Sequence, residues 1–241
     1  MGETPRRLTF GAHADAYERA RPAWPVEAAR WLVPDDAQLV VELGAGTGKL
    51  SRSLAALGVK LLAVEPDERM RAVLTAGGID GVAGSAEDIP LTDGEADAVV
   101  AGSAFHWFDL EHALPEIHRV LRPGGRLAFA WNHRDVDDPV GARVQAAISA
   151  ARTGTAGWRQ RDWSAAATSG GLFGDLERET FRHVHEFPRA ALGDHLLSYS
   201  GIAALPAEER ERLTAEVAEA LGDDDPVRIA FVVDAYRVRR L

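Results

Sequence analysis

Residues 40–50 read VVELGAGTGKL: an apolar run, an acid at Glu42, then glycine at every second position, Gly44, Gly46 and Gly48. Those glycines let the chain turn sharply and leave no Cβ between main chain and ligand. A second apolar run ends in another acid, Glu65, twenty-one residues after Gly44 and followed by Pro66. A carboxylate at that spacing can accept hydrogen bonds from both hydroxyls of a ribose. At the end of an apolar strand it has little structural reason to be there without a ligand. A third segment, Gly84-Ser85-Ala86-Glu87-Asp88-Ile89-Pro90, offers a small residue and an acid suited to an adenine ring and its exocyclic amine. Together the three form a nucleoside cradle built against bare main chain.

Other residues bear on a reaction beside such a nucleoside. His106 follows the fourth apolar run, and an imidazole with a pKa near ~6.5 suits removal of a proton from a hydroxyl or amine at neutral pH. It is the first candidate for a catalytic base, weighed against a role as a wall or loop support. His133, after the fifth run, is the second. Trp107 and Phe105 offer aromatic faces to a cationic ligand, a contact of roughly 0.5–2 kcal/mol. Arg134, Arg143 and Arg152 are cations available to an anionic substrate. Trp158 and Trp163 lie in a stretch rich in Gly and Ala, where pocket lining and packing are evenly balanced expectations. His183 and His185 share one strand face. With no cysteine and no neighbouring acid triad, they predict a solvated face rather than a metal site. Asp135, Asp137 and Asp138 predict a helix-capping loop. No metal is expected.

A sheet edge must gather these residues. Strands are expected at Gln38–Leu43, Lys60–Val64, Gly81–Gly84, Ala96–Gly102 and Arg126–Trp131, with helices at Leu50–Leu57, Asp67–Leu74 and Leu110–Leu121 between them. That alternation predicts an α/β fold, a parallel sheet with helices on both faces. Pro123-Gly124-Gly125 stops the last of these helices. Residues 135–175 read as an insertion packed over the active face. Glu177–Phe187 reads as a strand, Pro206–Leu221 as a charged amphipathic helix and Arg228–Val238 as the last strand. Residues 12–32 give two short helices, broken at Pro22 and Pro25, that close over the ligand. The expected organisation is one domain over 1–241. Within it, 1–34 is a helical lid, 35–134 the cofactor-binding core, 135–222 the substrate-side insertions and helices, and 223–241 the terminal strand.

Composition narrows the partners. The net charge of −10, with lysine only at Lys49 and Lys60, repels phosphate backbones and argues against a nucleic-acid substrate. No stretch approaches the roughly 18 apolar residues of a membrane span. The first ten residues lack the apolar middle of a secretory signal. The chain has no cysteine, which removes disulfides, thiolate metal sites and a thiol nucleophile and fits a cytoplasmic protein. A small-molecule substrate and a monomer or homodimer are expected.

The motifs, in this order, resemble those of the class I S-adenosylmethionine-dependent methyltransferases. Glu42-Leu43-Gly44-Ala45-Gly46-Thr47-Gly48 looks like their first motif, Glu65 their ribose acid and Ser85-Ala86-Glu87-Asp88 their adenine-side motif. Leu121-Arg122-Pro123-Gly124-Gly125 looks like the turn before their fifth strand. Phe10, Tyr17 and Arg21-Pro22-Ala23-Trp24-Pro25, with Ala104-Phe105-His106-Trp107-Phe108, narrow the resemblance to small-molecule enzymes akin to the trans-aconitate and ubiquinone/menaquinone types. It implies a Rossmann-like, doubly wound, seven-stranded sheet, mostly parallel, with the last strand antiparallel. It implies S-adenosyl-L-methionine as cofactor, with Tyr17 and Arg21 holding the methionine carboxylate and Pro66, Ser103 and His106 among the cofactor contacts. Trp107, Arg134, Trp158 and Trp163 are then the expected substrate contacts. The expected reaction is in-line methyl transfer to a small-molecule oxygen, a hydroxyl or a carboxylate. The alternative keeps the cofactor but not the transfer, as a cyclisation, a rearrangement or a binding subunit.

Overall fold

The structure, a computed structural model, describes residues 18, 21–151, 162–168 and 170–241. Phe10, Tyr17, Arg152 and Trp158, with most of the stretch expected to form the first lid helix, lie outside the described residues. Among the described residues the elements run α1 (Val26–Leu32), β1 (Leu39–Leu43), α2 (Lys49–Ala55), β2 (Lys60–Val64), α3 (Glu68–Ala76) and β3 (Gly81–Val82). Then come β4 (Ala96–Gly102), a single 3-10 turn at Phe105–Trp107, α4 (Leu110–Val120) and β5 (Leu121–Arg134). The second half holds α5 (Pro139–Ala151), α6 (Trp163–Thr168), β6 (Glu177–Phe187), α7 (Leu192–Leu197), α8 (Ser200–Ala203), α9 (Ala207–Leu221) and β7 (Val227–Arg239).

The strands form one sheet in the order β3-β2-β1-β4-β5-β7-β6. β3 through β5 pair in parallel, and β7 runs antiparallel between β5 and β6. The strand order reverses between β1 and β4, and open α/β sheets bind ligands at the carboxyl ends beside such a reversal. β1 and β4 are apolar runs because both faces of the sheet are covered. Val41, Val99, Ile117 and Phe129 fill one layer, and Leu32, Val40, Leu54 and Ala128 the other. Asp67 starts α3 by accepting from the Arg69 and Met70 amides, and Asp109 starts α4 through the Glu111 amide.

The structure departs from the sequence reading at β5, which also runs on to Arg134, at β3, which is only Gly81–Val82, and in the helices that follow the core. β5 begins at Leu121 rather than Arg126, because Leu121 pairs with Ala96 before the ladder shifts register and resumes at Arg126–Ala98. Pro123-Gly124-Gly125 is therefore an irregularity inside a strand, not a loop before it. Of the 135–175 segment, the described helices α5 and α6 pack away from the ligand face. α5 packs with α7 and α9 around Val144, Leu196, Leu213 and Phe231, and α6 enters the sheet core beside Phe105 and Trp131. Asp138 accepts from the Gly141 amide at 2.8 Å at the start of α5, and Asp135 pairs with Arg182 at 3.0 Å.

Candidate active site

The turn after β1 is hung from the end of β2. The Gly44 and Ala45 amides both donate to the Val64 carbonyl, at 2.9 and 3.1 Å. Glu65 then clamps the next residue. Its Oε2 accepts from the Gly46 amide at 2.9 Å and its Oε1 from the Asp67 amide at 2.9 Å. Burial pushes the Glu65 carboxyl above its usual range, and the two amides oppose that shift. Gly44 has a φ of +68°, and a Cβ there would stand 2.7 Å from the Ala104 Cβ. Gly46, at φ +59°, would meet nothing within 4 Å. The first glycine is needed for close packing on the β4 turn. The second is needed for its backbone angle, and it leaves its face open to a ligand.

These elements frame a cavity at the carboxyl ends of β1 and β4, with an empty volume of about 1130 Å³ including the part open to solvent. Of the residues expected from sequence, Arg21, Glu42, Gly44, Ala45 and Gly46 are on its wall. So are Glu65, Pro66, Ser85, Ala86 and Glu87, together with Ser103 and Trp107. Gly48 stands behind the turn, where a Cβ would be 2.5 Å from Leu74 Cδ1. Ser103 holds a left-handed φ of +54°, a conformation worth roughly 1–2 kcal/mol to a residue with a Cβ. Its amide donates to the Ala130 carbonyl at 2.7 Å, which ties this strained residue to the end of β5.

Glu42 forms the floor. It is 2% exposed and accepts the Ser51 hydroxyl at 2.5 Å. Burial pushes its carboxyl up to about 8, the Ser51 hydrogen bond opposes the shift, and Glu65 adds to it. In the unliganded fold Glu42 is therefore protonated at pH 7. Because the folded value is raised, its contribution to stability is full below about 4.5 and is lost as pH rises toward about 8. A cationic ligand bound beside it would restore the carboxylate. Binding at pH 7 should then release up to about one proton, and fewer above pH 8. Calorimetry in buffers of different ionisation heat measures this, and identical heats in all of them would contradict it.

Neither His106 nor His133 is on the cavity wall. His106 lies in the 3-10 turn between wall residues, but its ring is turned toward Trp131, whose indole Nε1–H donates to His106 Nδ1 at 3.1 Å. An indole nitrogen is only a donor, so Nδ1 is an acceptor and neutral His106 carries its proton on Nε2. Burial lowers its pKa to about 4. With Nε2 protonated, the ring would have to give up the Trp131 hydrogen bond at Nδ1 before it could take a substrate proton. NMR should find the Nε2–H tautomer unchanged from pH 8 to about 5, and Trp131→Phe should free it. A ring titrating near 6.5 would overturn this assignment.

His133 lies on the same face of β5 as Trp131 and away from Asn132, with Nε2 2.9 Å from Asp234 Oδ2. Asp234 also pairs with Arg178 at 2.9 Å, and His133 and Arg178 hold its carboxyl well below the usual range. His133 is thus held in a cross-strand hydrogen bond between β5 and β7. Trp163 is 6% exposed and packs on Phe105 and Trp131, so packing wins over lining. Phe105 is likewise interior, stacked on Phe129 at 4.1 Å between centroids. Arg134 is not on the cavity wall. It is 5% exposed, donates to Gln145 Oε1 at 2.9 Å and packs over Tyr199.

Sequence reasoning missed Trp24, Leu50, Met70, Phe108 and Asn132 on the wall. Asn132 had a signal, since it ends the fifth apolar run beside the ligand edge. Its amide is fixed at both ends, Nδ2 donating to the Ala23 carbonyl at 3.2 Å and Oδ1 accepting from His183 Nε2 at 3.0 Å. Trp24 is anchored through its carbonyl, which accepts the Ser53 hydroxyl at 2.7 Å. Glu18 reaches α2 from the lid side, accepting from Arg52 at 2.6 Å with Lys49 at 3.4 Å.

Known proteins share both the sequence and this frame. The methyltransferase domain family matches residues 41–129. An uncharacterised methyltransferase of Mycobacterium tuberculosis is 51% identical over 130 residues, 53% of this chain and 54% of that protein, so the chain spans about half the length of this relative. An uncharacterised methyltransferase of Schizosaccharomyces pombe is 34% identical over 220 residues, 88% of this chain and 87% of its own. A solved chain from Anaeromyxobacter dehalogenans, presented as a candidate type II methyltransferase, superposes with a TM-score of 0.70 at 26% identity, covering 91% of this chain and 97% of that one. Among the described residues no helix is long and apolar enough to cross a membrane. A match over 88% of this chain, on a sheet whose glycine turn and Glu65 stand at its switch point, makes this chain a member of the class I S-adenosylmethionine-dependent methyltransferases.

Proposed function

We propose that the protein transfers a methyl group from S-adenosylmethionine to an oxygen atom of a small-molecule acceptor by in-line displacement. The observation that carries the reading is one continuous cavity with Glu65 and the glycine turn on one part of its wall and Trp107, Phe108, Ser103 and Asn132 on another. The nucleoside part fits the cofactor, since main chain is bare at Gly46 and Glu65 keeps lone pairs beyond the two that its amide donors use. Arg21 stands where a methionine carboxylate needs a cation, and buried Glu42 where its ammonium needs an anion. When bound, the cofactor supplies a methyl group on a cationic sulfur that leaves as a neutral thioether.

The protein then has to orient an acceptor and keep water out. Trp24, Trp107 and Phe108 supply apolar cover. The described acids on the wall, Glu42, Glu65 and Glu87, all belong to the first motif, the ribose acid and the adenine-side segment. Away from them the polar groups are those of Ser103 and Asn132 with Arg21, and Thr47 and Lys49 stand beside the glycine turn. That side of the described wall carries no carboxylate, which suits an oxygen acceptor better than an ammonium. Incubation with methyl-labelled cofactor and matched oxygen, nitrogen and carbon acceptors tests the reading. Label on oxygen with release of S-adenosylhomocysteine is expected, and label only on nitrogen or carbon would reject it.

A further inference from the structure

Residues 21–25 form part of the cavity wall but belong to neither a helix nor a strand. Arg21, Pro22 and Trp24 of this strap face the cavity. Hydrogen bonds that involve side chains fasten it to the body of the protein. Ser53 Oγ donates to the Trp24 carbonyl at 2.7 Å, and Asn132 Nδ2 donates to the Ala23 carbonyl at 3.2 Å. Arg21 Nη2 donates to the Ser198 carbonyl at 3.2 Å. Of the three body residues, Asn132 is the one that also lines the cavity.

A carboxamide can lie either way round, and its neighbours decide which way Asn132 lies. A main-chain carbonyl only accepts, so the nitrogen of Asn132 has to face Ala23. Its oxygen is then the atom 3.0 Å from His183 Nε2. That oxygen also only accepts, so Nε2 carries a hydrogen and donates it. Burial, with His185 adding to it, pushes the His183 ring down to about 4, so the ring is neutral at pH 7 with its hydrogen on Nε2.

His183 makes this contact from the far edge of the sheet. β7 lies between β6 and β5, with His183 opposite Phe231 on one side and Asn132 opposite Val233 on the other. Phe231 and Val233 are fully buried, and the His183 ring stands 5.8 Å from that of Phe231 between centroids. The sequence predicts a solvated strand face here. His183 is instead half-buried and spends its N–H on a wall residue.

We infer that His183 is a positioning residue: its Nε2–H holds the Asn132 carboxamide in the orientation that pins the Ala23 carbonyl and keeps the strap of residues 21–25 against the bound cofactor. The inference rests on the methyltransferase reading, in which Arg21 is assigned to the cofactor and Trp24 to its cover. Without His183, a mostly buried amide oxygen has no donor, and the carboxamide gains by turning away from Ala23. The strap then opens more often, and a ligand under it leaves sooner.

Release of S-adenosylhomocysteine, followed by stopped-flow tryptophan fluorescence alongside thermal unfolding, tests this. His183→Leu should speed release by about fivefold, the worth of one hydrogen bond. His183→Gln offers an N–H of similar reach and should recover most of the loss. Asn132→Asp keeps an acceptor for His183 but has no donor for Ala23, so it should speed release at least as much as His183→Leu. In the Asn132→Ala background His183→Leu should change release by less than about twofold, because the pin is already gone. Nitrogen NMR of the parent protein should show the His183 hydrogen on Nε2. A lower Tm with unchanged release in His183→Leu, no recovery in His183→Gln, or effects that multiply in the double variant would overturn the inference. A hydrogen on Nδ1 in the parent would overturn it even where His183→Leu does not fold. If S-adenosylhomocysteine does not bind the parent, the methyltransferase reading fails. If it binds and release ignores His183, only the positioning role fails.

Discussion

Replacing Glu65 with alanine is expected to weaken S-adenosylhomocysteine binding by about a hundredfold or more. Two ribose hydroxyls donating to one carboxylate are charge-assisted hydrogen bonds of about 1.5–3 kcal/mol each, and about 1.4 kcal/mol is tenfold in affinity. The same substitution removes the acceptor from the Gly46 and Asp67 amides, so the turn loses its clamp as well as its ligand contact. Glutamine should do little better than alanine. Each oxygen of Glu65 already accepts a main-chain N–H, and an amide in the same position must aim its own NH2 at one of them. Calorimetric titration of the three proteins measures this. If Glu65→Gln binds within about threefold of the parent, the carboxylate is a structural brace and the ribose is held elsewhere.

The frame was legible because its signals are local. Glu42 through Gly48 is a strand-to-turn sentence that needs no distant partner to be read, and β2, β4 and β6 fall at the residues expected from their apolar or alternating runs. Asp67 was legible as a helix start because capping is decided within three residues. What escaped depends on contacts between residues far apart in sequence. His106 reads as a base until Trp131, twenty-five positions later, donates to its ring and fixes the tautomer. Trp163 reads equally as pocket lining or packing until Phe105 and Trp131 take it into the core. Arg134 reads as a cation available to a substrate, and Tyr199, which meets it, comes from a segment that no motif marks. Residues 135–175 were placed over the ligand by their position after the core, but the apolar stripe of α5, Val144 and Ile148, matches α9 rather than the cavity.

The strictest test of the first motif is Gly44→Ala, for which a loss of about 2–4 kcal/mol of stability is expected, together with most of the cofactor affinity. Part of the loss is conformational, since a φ of +68° costs a residue with a Cβ roughly 1–2 kcal/mol. The rest is steric, because the new Cβ would stand 2.7 Å from Ala104 Cβ, and overpacking of that kind typically costs about 1–3 kcal/mol. Ala104 begins the turn that carries Trp107 and Phe108 to the opposite wall, so relief of the clash by movement displaces both sides of the site. The two causes separate in a double-mutant cycle. Ala104→Gly alone should destabilise, because it removes a buried methyl and adds backbone freedom. In the Gly44→Ala background it should recover the steric part and leave the conformational part, giving a favourable coupling of about 1–2 kcal/mol in denaturant unfolding. Additivity within about 0.5 kcal/mol would mean that the turn and the β4 end do not press on each other. The close approach of these two elements would then no longer explain why glycine stands at this position.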